Sequence, residues 1–299
     1  MNDKSVKAGV IFALAAYSMW GIAPMYFKLL TGVPALEIVM HRIVWSVLVL
    51  CLLLFVRKKF GQVLKAIRDP KIIATLSISG LLLAVNWLIF IWAVNNNRML
   101  DASLGYFINP LFNVLLARLF LQESLTRLQL LAVFVALSGV AFLIFSYGQL
   151  PWIALMLATS FSIYGLLRKK VTVDSMPGLF IESCILLPFA LLYWFVIDTS
   201  SGNMLANSFD LNITLLLAGV VTTAPLLCFT AAARRIRYTT LGFFQYIGPS
   251  LMFLLAVLLY QEPLDKTRIV AFVFVWSGLL IYVYESLRTY QKSRRLIQS

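Results

Sequence analysis

The sequence predicts an all-helical membrane protein in which two five-helix repeats enter the bilayer from opposite sides. Three observations carry that prediction: an extreme apolar composition, a one-sided sorting of lysine and arginine, and an internal repeat. Of 299 residues, 61% are hydrophobic and 12% charged, with a mean hydropathy of +0.90. A soluble domain carries about 25% charged residues. So much apolar surface exceeds what one water-excluded core can bury, which rules out a soluble globule.

Ten stretches suffice for about 20 residues of helix each, the length that crosses hydrocarbon. In order they cover 7–30, 36–56, 72–94, 102–121, 128–146, 151–167, 178–197, 211–233, 241–260 and 268–285. The first resembles a signal peptide, with Lys4 and Lys7 before an apolar run and an Ala13-x-Ala15 pattern. Nine further spans argue that it is an uncleaved helix. Pro34 and Pro177 sit at helix starts, where a missing N–H costs nothing. Thr126 with Gln129 forms a capping-box pattern, and Asp265 occupies the equivalent place before the last span.

Basic residues resist translocation, so their loops mark the cytoplasmic face. With the amino terminus inside, 20 of the 25 Lys and Arg fall in inward-facing segments. Lys28, Arg42, Arg98, Lys266 and Arg268 fall on the outer side, beside Glu37, Asp101, Asp198, Asp210, Glu262 and Asp265. The net charge of +13 is therefore a topology signal with both termini cytoplasmic, and no nucleic-acid partner follows from it. One histidine and three cysteines inside apolar runs (Cys51, Cys184, Cys228) exclude a His/Cys zinc cluster and a disulfide framework. No Gly-rich loop ending in Lys-Ser/Thr is present, so no nucleotide or other cofactor is expected.

At a shift of 139 residues Pro110 aligns with Pro249, Ala117 with Ala256, Gln122-Glu123 with Gln261-Glu262, and Ser138-Gly139 with Ser277-Gly278. Phe90 and Phe229 keep that shift, while Ser18-x-x-Gly21 matches Ser162-x-x-Gly165 at 144. The expected organisation is a first repeat over 1–148, a second over 149–286 and a basic cytoplasmic tail over 287–299. Five is an odd number of crossings, so the second repeat enters inverted, the architecture of carriers that open alternately to each side.

Ser18-Met19-Trp20-Gly21, Asn86-Trp87, Ser103-Leu104-Gly105-Tyr106-Phe107-Ile108-Asn109-Pro110 and Leu241-Gly242-Phe243-Phe244-Gln245-Tyr246-Ile247-Gly248-Pro249 together resemble the RarD proteins, permeases of the EamA branch of the drug/metabolite transporter superfamily. The resemblance runs from Gly9 to about Glu285. It implies a bacterial inner-membrane permease of small organic solutes with a cavity shared by the halves, an exporter of metabolites or drugs that is linked to chloramphenicol by family name. Uptake or two-way movement of amino-acid-like metabolites, or a non-transporting scaffold, stays open. An intramembrane enzyme is disfavoured, because the one histidine lies near no nucleophile.

Polar groups within hydrocarbon need a partner or a function. His41 and Arg42 are either an anion-attracting or proton-responsive group at the outer mouth, or a Glu37–His41 pair beside an arginine that reaches the headgroups. Glu182, whose repeat partner is Val39, is either a proton-coupling carboxylate or the partner of Arg168 or Lys169. Tyr106, Asn109 and Asn113 share the fourth span, and Pro110 and Pro249 are expected hinges that free the carbonyls of Tyr106 and Gln245. Trp20 and its repeat partner Tyr164, with Asn86, Trp87, Trp92, Gln245 and Tyr246, offer aromatic walls with polar edges for a solute. Glu123 and Glu262 are read as structural.

Overall fold

In hydrocarbon every backbone N–H and C=O must be bonded within the protein, and a helix does this within a single segment. The computed structural model of the chain is 85% helix without strands, over the described residues 3–122, 126–148, 150–197 and 201–298. Glu123 and Asp198 lie outside them. The helices are α1 Asp3–Lys28, α2 Ala35–Val56, α3 Phe60–Ile67, α4 Pro70–Asn95, α5 Met99–Leu121, α6 Arg127–Tyr147, α7 Trp152–Lys170, α8 Ser175–Val196, α9 Phe209–Arg235, α10 Tyr238–Gln245, α11 Ile247–Leu254 and α12 Lys266–Gln298.

Among the described residues nine helical stretches are long and apolar enough to cross a membrane. The sixth expected span, α7, is not one of them because it ends in Arg168, Lys169 and Lys170. It packs between α4 and α5 all the same. Helix α3 was not expected. Its Val63 and Ala66 are buried with Leu54, Leu76 and Ile181, while Leu64 and Ile67 face outward. The helix beginning at Lys266 continues through the segment expected as a tail.

The expected single ninth helix is instead α10, α11 and a π-helical turn, Leu255–Leu259. Pro249 has no N–H to offer the Gln245 carbonyl, and the chain departs from the helix at Tyr246. Pro110 has a different outcome: α5 remains one helix through it.

Local chemistry fixes the ends. Thr126 and Gln129 form the expected capping box, and Asp265 accepts from the Arg268 N–H at 2.8 Å. Glu262, buried between the π turn and α12, reaches across the molecule. Its two carboxylate oxygens accept from the Met99 and Leu100 N–H groups, each at 3.0 Å. It thereby caps α5, where a negative charge also meets the positive end of the helix dipole. Glu262→Ala strips both bonds and should cost about 2 kcal/mol, read as a lower melting temperature in detergent, with Glu262→Gln intermediate.

The helices pack mainly across the halves: α1 on α9 and α11, α2 on α8 and α9, α4 on α7, α5 on α7 and α10, and α6 on α12. The α6–α12 seam is reciprocal. A Cβ on Gly139 would lie 2.9 Å from the Ala271 carbonyl oxygen, and one on Gly278 would lie 2.6 Å from that of Ala132. Residue numbers rise along α6 as they fall along α12, so the two helices are antiparallel.

One end of the bundle is basic. There Asp174, before α8, accepts from Lys59 at 3.3 Å and from Arg234, tying the α2–α3 loop to the end of α9. The Arg234 guanidinium, then Lys59, holds the Asp174 carboxyl below its ordinary value. Sign follows from that direction: the latch is complete above the usual aspartate range, near pH 4, and is lost as pH falls through the lower value in the fold. Asp174→Asn should therefore flatten the fall of melting temperature below about pH 4. At the other end Asp101 accepts from Arg98 at 2.8 Å and from Arg268 at 3.2 Å, and Lys28 donates to Asn97 at 2.7 Å.

Candidate functional site

A cavity of about 620 Å³, counting its open mouth, lies where the halves meet. Its walls are aromatic because four helices turn rings to the same place. Tyr17, Trp20 and Phe27 come from α1, Trp87 and Phe90 from α4, Tyr106 from α5 and Phe161 from α7. Edge-on and tilted contacts lock these rings, as for Trp20 on Phe161 at 5.3 Å and Phe90 on Tyr106 at 5.8 Å between centroids. Gly248, Pro249 and Met252 complete the wall from the broken ninth span.

Arg42 of α2 is the cavity's one charged side chain among the described residues. It is 4% exposed. Its Nε donates to the Thr222 hydroxyl of α9 at 2.8 Å, and its guanidinium carbon lies 4.2 Å from the Trp87 ring centroid and 5.1 Å from that of Phe27. Nη1 has no hydrogen-bond partner, and among the described residues no acid pairs with it. Arg42 therefore turns inward instead of reaching for headgroups.

Asn86 and Gln245 also line the cavity, but their amides are already engaged. Asn86 donates to the Leu157 carbonyl and Ser160 hydroxyl, at 3.1 and 2.9 Å, and accepts from Tyr106 at 3.0 Å. Gln245 donates to Asn109 and accepts from Asn113 at 2.8 Å. Tyr238 donates to Asn113 at 2.9 Å, and Asn109 donates to the Ala158 carbonyl at 2.8 Å. This network binds α5, α7 and α10 beneath the cavity, on the side toward the basic end.

The sequence-predicted residues thus divide. Trp20, Arg42, Asn86, Trp87, Tyr106, Gln245 and Pro249 line the cavity, and Asn109 supports it from below. Tyr164 lies outside, stacked on Phe229 at 6.0 Å. Tyr246 and Pro110 face a separate small cleft with Tyr282. Trp92 packs on Trp152 at 5.8 Å, away from the cavity.

His41 is fully buried and points elsewhere. Its Nδ1 accepts from Trp45 at 3.2 Å, and its ring meets Trp194 edge-on at 4.8 Å. Glu37 accepts from Ser201, and the expected hydrogen bond from His41 to Glu37 is not formed, since His41 Nδ1 accepts from Trp45 and Nε2 has no partner among the described residues. Glu182 accepts from Ser79 and lies 3.6 Å from Arg168, both partners of the pair being at most 2% exposed.

Tyr17, Phe27, Phe161 and Thr222 were not anticipated. Tyr17 and Phe161 precede Ser18 and Ser162, so the 144-residue shift places two aromatics at equivalent positions, a signal already present in the chain. Nothing local marks Thr222 as the partner of Arg42, because the two are 180 residues apart.

The EamA-like transporter family matches this chain twice, over residues 7–145 and 150–284. "Protein RarD" of Salmonella typhi is 51% identical over 293 residues, covering 98% of this chain and all of that protein. "Chloramphenicol-sensitive protein RarD" of Pseudomonas aeruginosa is 31% identical over 293 residues, covering 96% of this chain and 97% of that one. A crystal structure 16% identical in sequence superposes with a TM-score of 0.67 over 93% of this chain and 97% of its own, which is a likeness of fold. A multi-pass helical chain, matched twice by one transporter family and over nearly its full length by these relatives, belongs to the EamA-like transporter family and, within it, to the RarD proteins.

Proposed function

We propose that the protein is a permease of the bacterial inner membrane that exports small organic solutes by alternating access. Two inverted five-helix units, 1–148 and 149–286, would rock around the central cavity with both termini cytoplasmic. The observation that carries this reading is the aromatic cavity between the halves, underlain toward the basic end by the Asn109–Gln245–Asn113 network. The pattern of packing supports it too. Exchanging the halves turns α1–α9 into α7–α4, and leaves α2–α8, α6–α12 and α5–α10 each paired with themselves. A two-fold axis lying across the helices produces that exchange and the antiparallel α6–α12 seam. Inverted units related by such an axis can trade conformations, which opens the cavity to alternate sides.

With the basic end cytoplasmic, the lining residues Phe27, Arg42, Phe90 and Tyr106 lie in the outer halves of their helices; export is the direction this reading adopts from the family resemblance. The P. aeruginosa relative's name makes chloramphenicol one solute to test. Protons are the proposed coupling ion. Glu182 and His41 are the buried titratable candidates, each with an unpartnered atom, Oε2 and Nε2. Efflux from proteoliposomes of defined orientation tests this reading: saturable flux is expected, enhanced by a pH gradient. Its absence across a panel of metabolites and antibiotics, with folded protein, would refute it. Accessibility tags should place both termini in the cytoplasm.

A further inference from the structure

We infer that the central cavity selects solutes carrying a planar anionic group, a carboxylate above all, on an aromatic or otherwise apolar body. This rests on the permease reading and names the chemistry of the solute. The argument begins with cost. A guanidinium removed from water is unfavourable unless its charge and its donors are met. For Arg42 the offsets are one hydroxyl, Thr222, and the faces of Trp87 and Phe27. Those rings cover the guanidinium plane and leave its donor edge, where Nη1 is unpaired. A carboxylate is the group that fits such an edge, through two parallel N–H···O bonds.

The remaining hydrogen-bonding capacity points the same way. Asn86, Tyr106 and Gln245 are committed to bonds between helices. What is left is weighted toward donors: Arg42, the indole N–H groups of Trp20 and Trp87, and the Tyr17 hydroxyl, which can donate or accept. Beyond the Arg42–Thr222 bond, none of these groups has a hydrogen-bond partner among the described residues. Among the described residues no Asp or Glu lines the cavity, so a ligand ammonium would meet Arg42 without a counter-charge. An amine or a zwitterion is thus the disfavoured class. The rings of Trp20, Phe90 and Phe161 provide the wall for the apolar body.

Binding to the purified protein in nanodiscs tests this, read by thermal shift and by quenching of tryptophan fluorescence. The probes are benzoate, 3-phenylpropionate and indole-3-acetate, each beside its primary amide and its amine counterpart. At least one carboxylate should bind 10-fold or more tightly than its amide and its amine. Arg42→Gln should abolish that preference, Arg42→Lys should weaken it, and Arg98→Gln, remote from the cavity, should preserve it. Equal binding of carboxylate and amide, no binding of any carboxylate at millimolar concentration, or a preference that survives Arg42→Gln would overturn the inference. The series in the unmodified protein decides the matter even where Arg42→Gln does not fold. Flux separates the two readings. Arg42-dependent carboxylate binding without transport would overturn the permease reading and leave this one standing. Saturable flux of a neutral solute that is indifferent to Arg42→Gln would do the reverse.

Discussion

Glu182→Leu is expected to destabilise the protein by about 3–5 kcal/mol, because it leaves Arg168 as a buried cation without its acid. The pair is enclosed to an unusual degree. Glu182 accepts from Ser79 of α4, Arg168 Nη2 donates to the Ser175 carbonyl at 3.2 Å, and both side chains are at most 2% exposed. The backbone is shaped around them: a Cβ on Gly178 would fall 2.1 Å from Arg168 Nη1, and one on Gly80 would lie 3.5 Å from Glu182 Cβ. A buried ion pair contributes little net stability, since desolvation consumes most of the attraction, whereas breaking it is expensive. The double variant Arg168→Met/Glu182→Leu should therefore recover most of the loss. Denaturation of the unmodified protein, Arg168→Met, Glu182→Leu and the double variant in one detergent gives the coupling energy directly.

That cycle also separates two roles for Glu182. If the carboxylate only ties α4, α7 and α8 together, the double variant keeps both flux and its response to a pH gradient. If Glu182 carries the coupled proton, the double variant keeps solute exchange at equilibrium but loses acceleration by the gradient. Restored stability with a lost gradient response would assign coupling to Glu182. Restored stability with an intact response would leave His41 as the remaining buried candidate, and His41→Gln would be the next variant.

The parts of this protein legible in its sequence are those set by short-range physics. Apolar runs of fixed length gave the spans, and Thr126, Asp265 and Pro249 marked ends or breaks through chemistry within four residues of each. The site was legible by residue type but less so by direction. A buried arginine at position 42 announces itself, yet whether it faces lipid, headgroup or cavity depends on α9 and α4 packing against α2, contacts made across 180 and 45 positions of sequence. His41, one residue away, sits about 100° round the helix and so points toward Trp194. Trp20 and Tyr164 are equivalent by repeat, but only Trp20 lines the cavity. The halves share an ancestral pattern without having to be in the same conformation. Helix α3 escaped notice because eight residues are too few for the span template and its charged flanks read as loop.

Gly139→Val and Gly278→Val should fail alike, and the likeness is the informative part. At each position the added Cβ meets backbone: the Ala271 carbonyl oxygen at 2.9 Å in one case, that of Ala132 at 2.6 Å in the other. Backbone cannot rotate aside as a side chain can, so α6 and α12 must separate along their length. Such overpacking costs about 1–3 kcal/mol when a core can adjust, and the upper end applies to a seam of two continuous helices. Gly→Ala at each position should show the same direction with a smaller drop in melting temperature. Small residues are also what permits close helix contact in a bilayer, where no hydrophobic force drives helices together. Paired loss at 139 and 278, beside a much smaller effect of valine at the open Gly61, is the signature of a two-fold seam. Loss at one glycine alone would mean that the contact is not reciprocal and that rocking of equivalent halves about this seam is the wrong description of the motion.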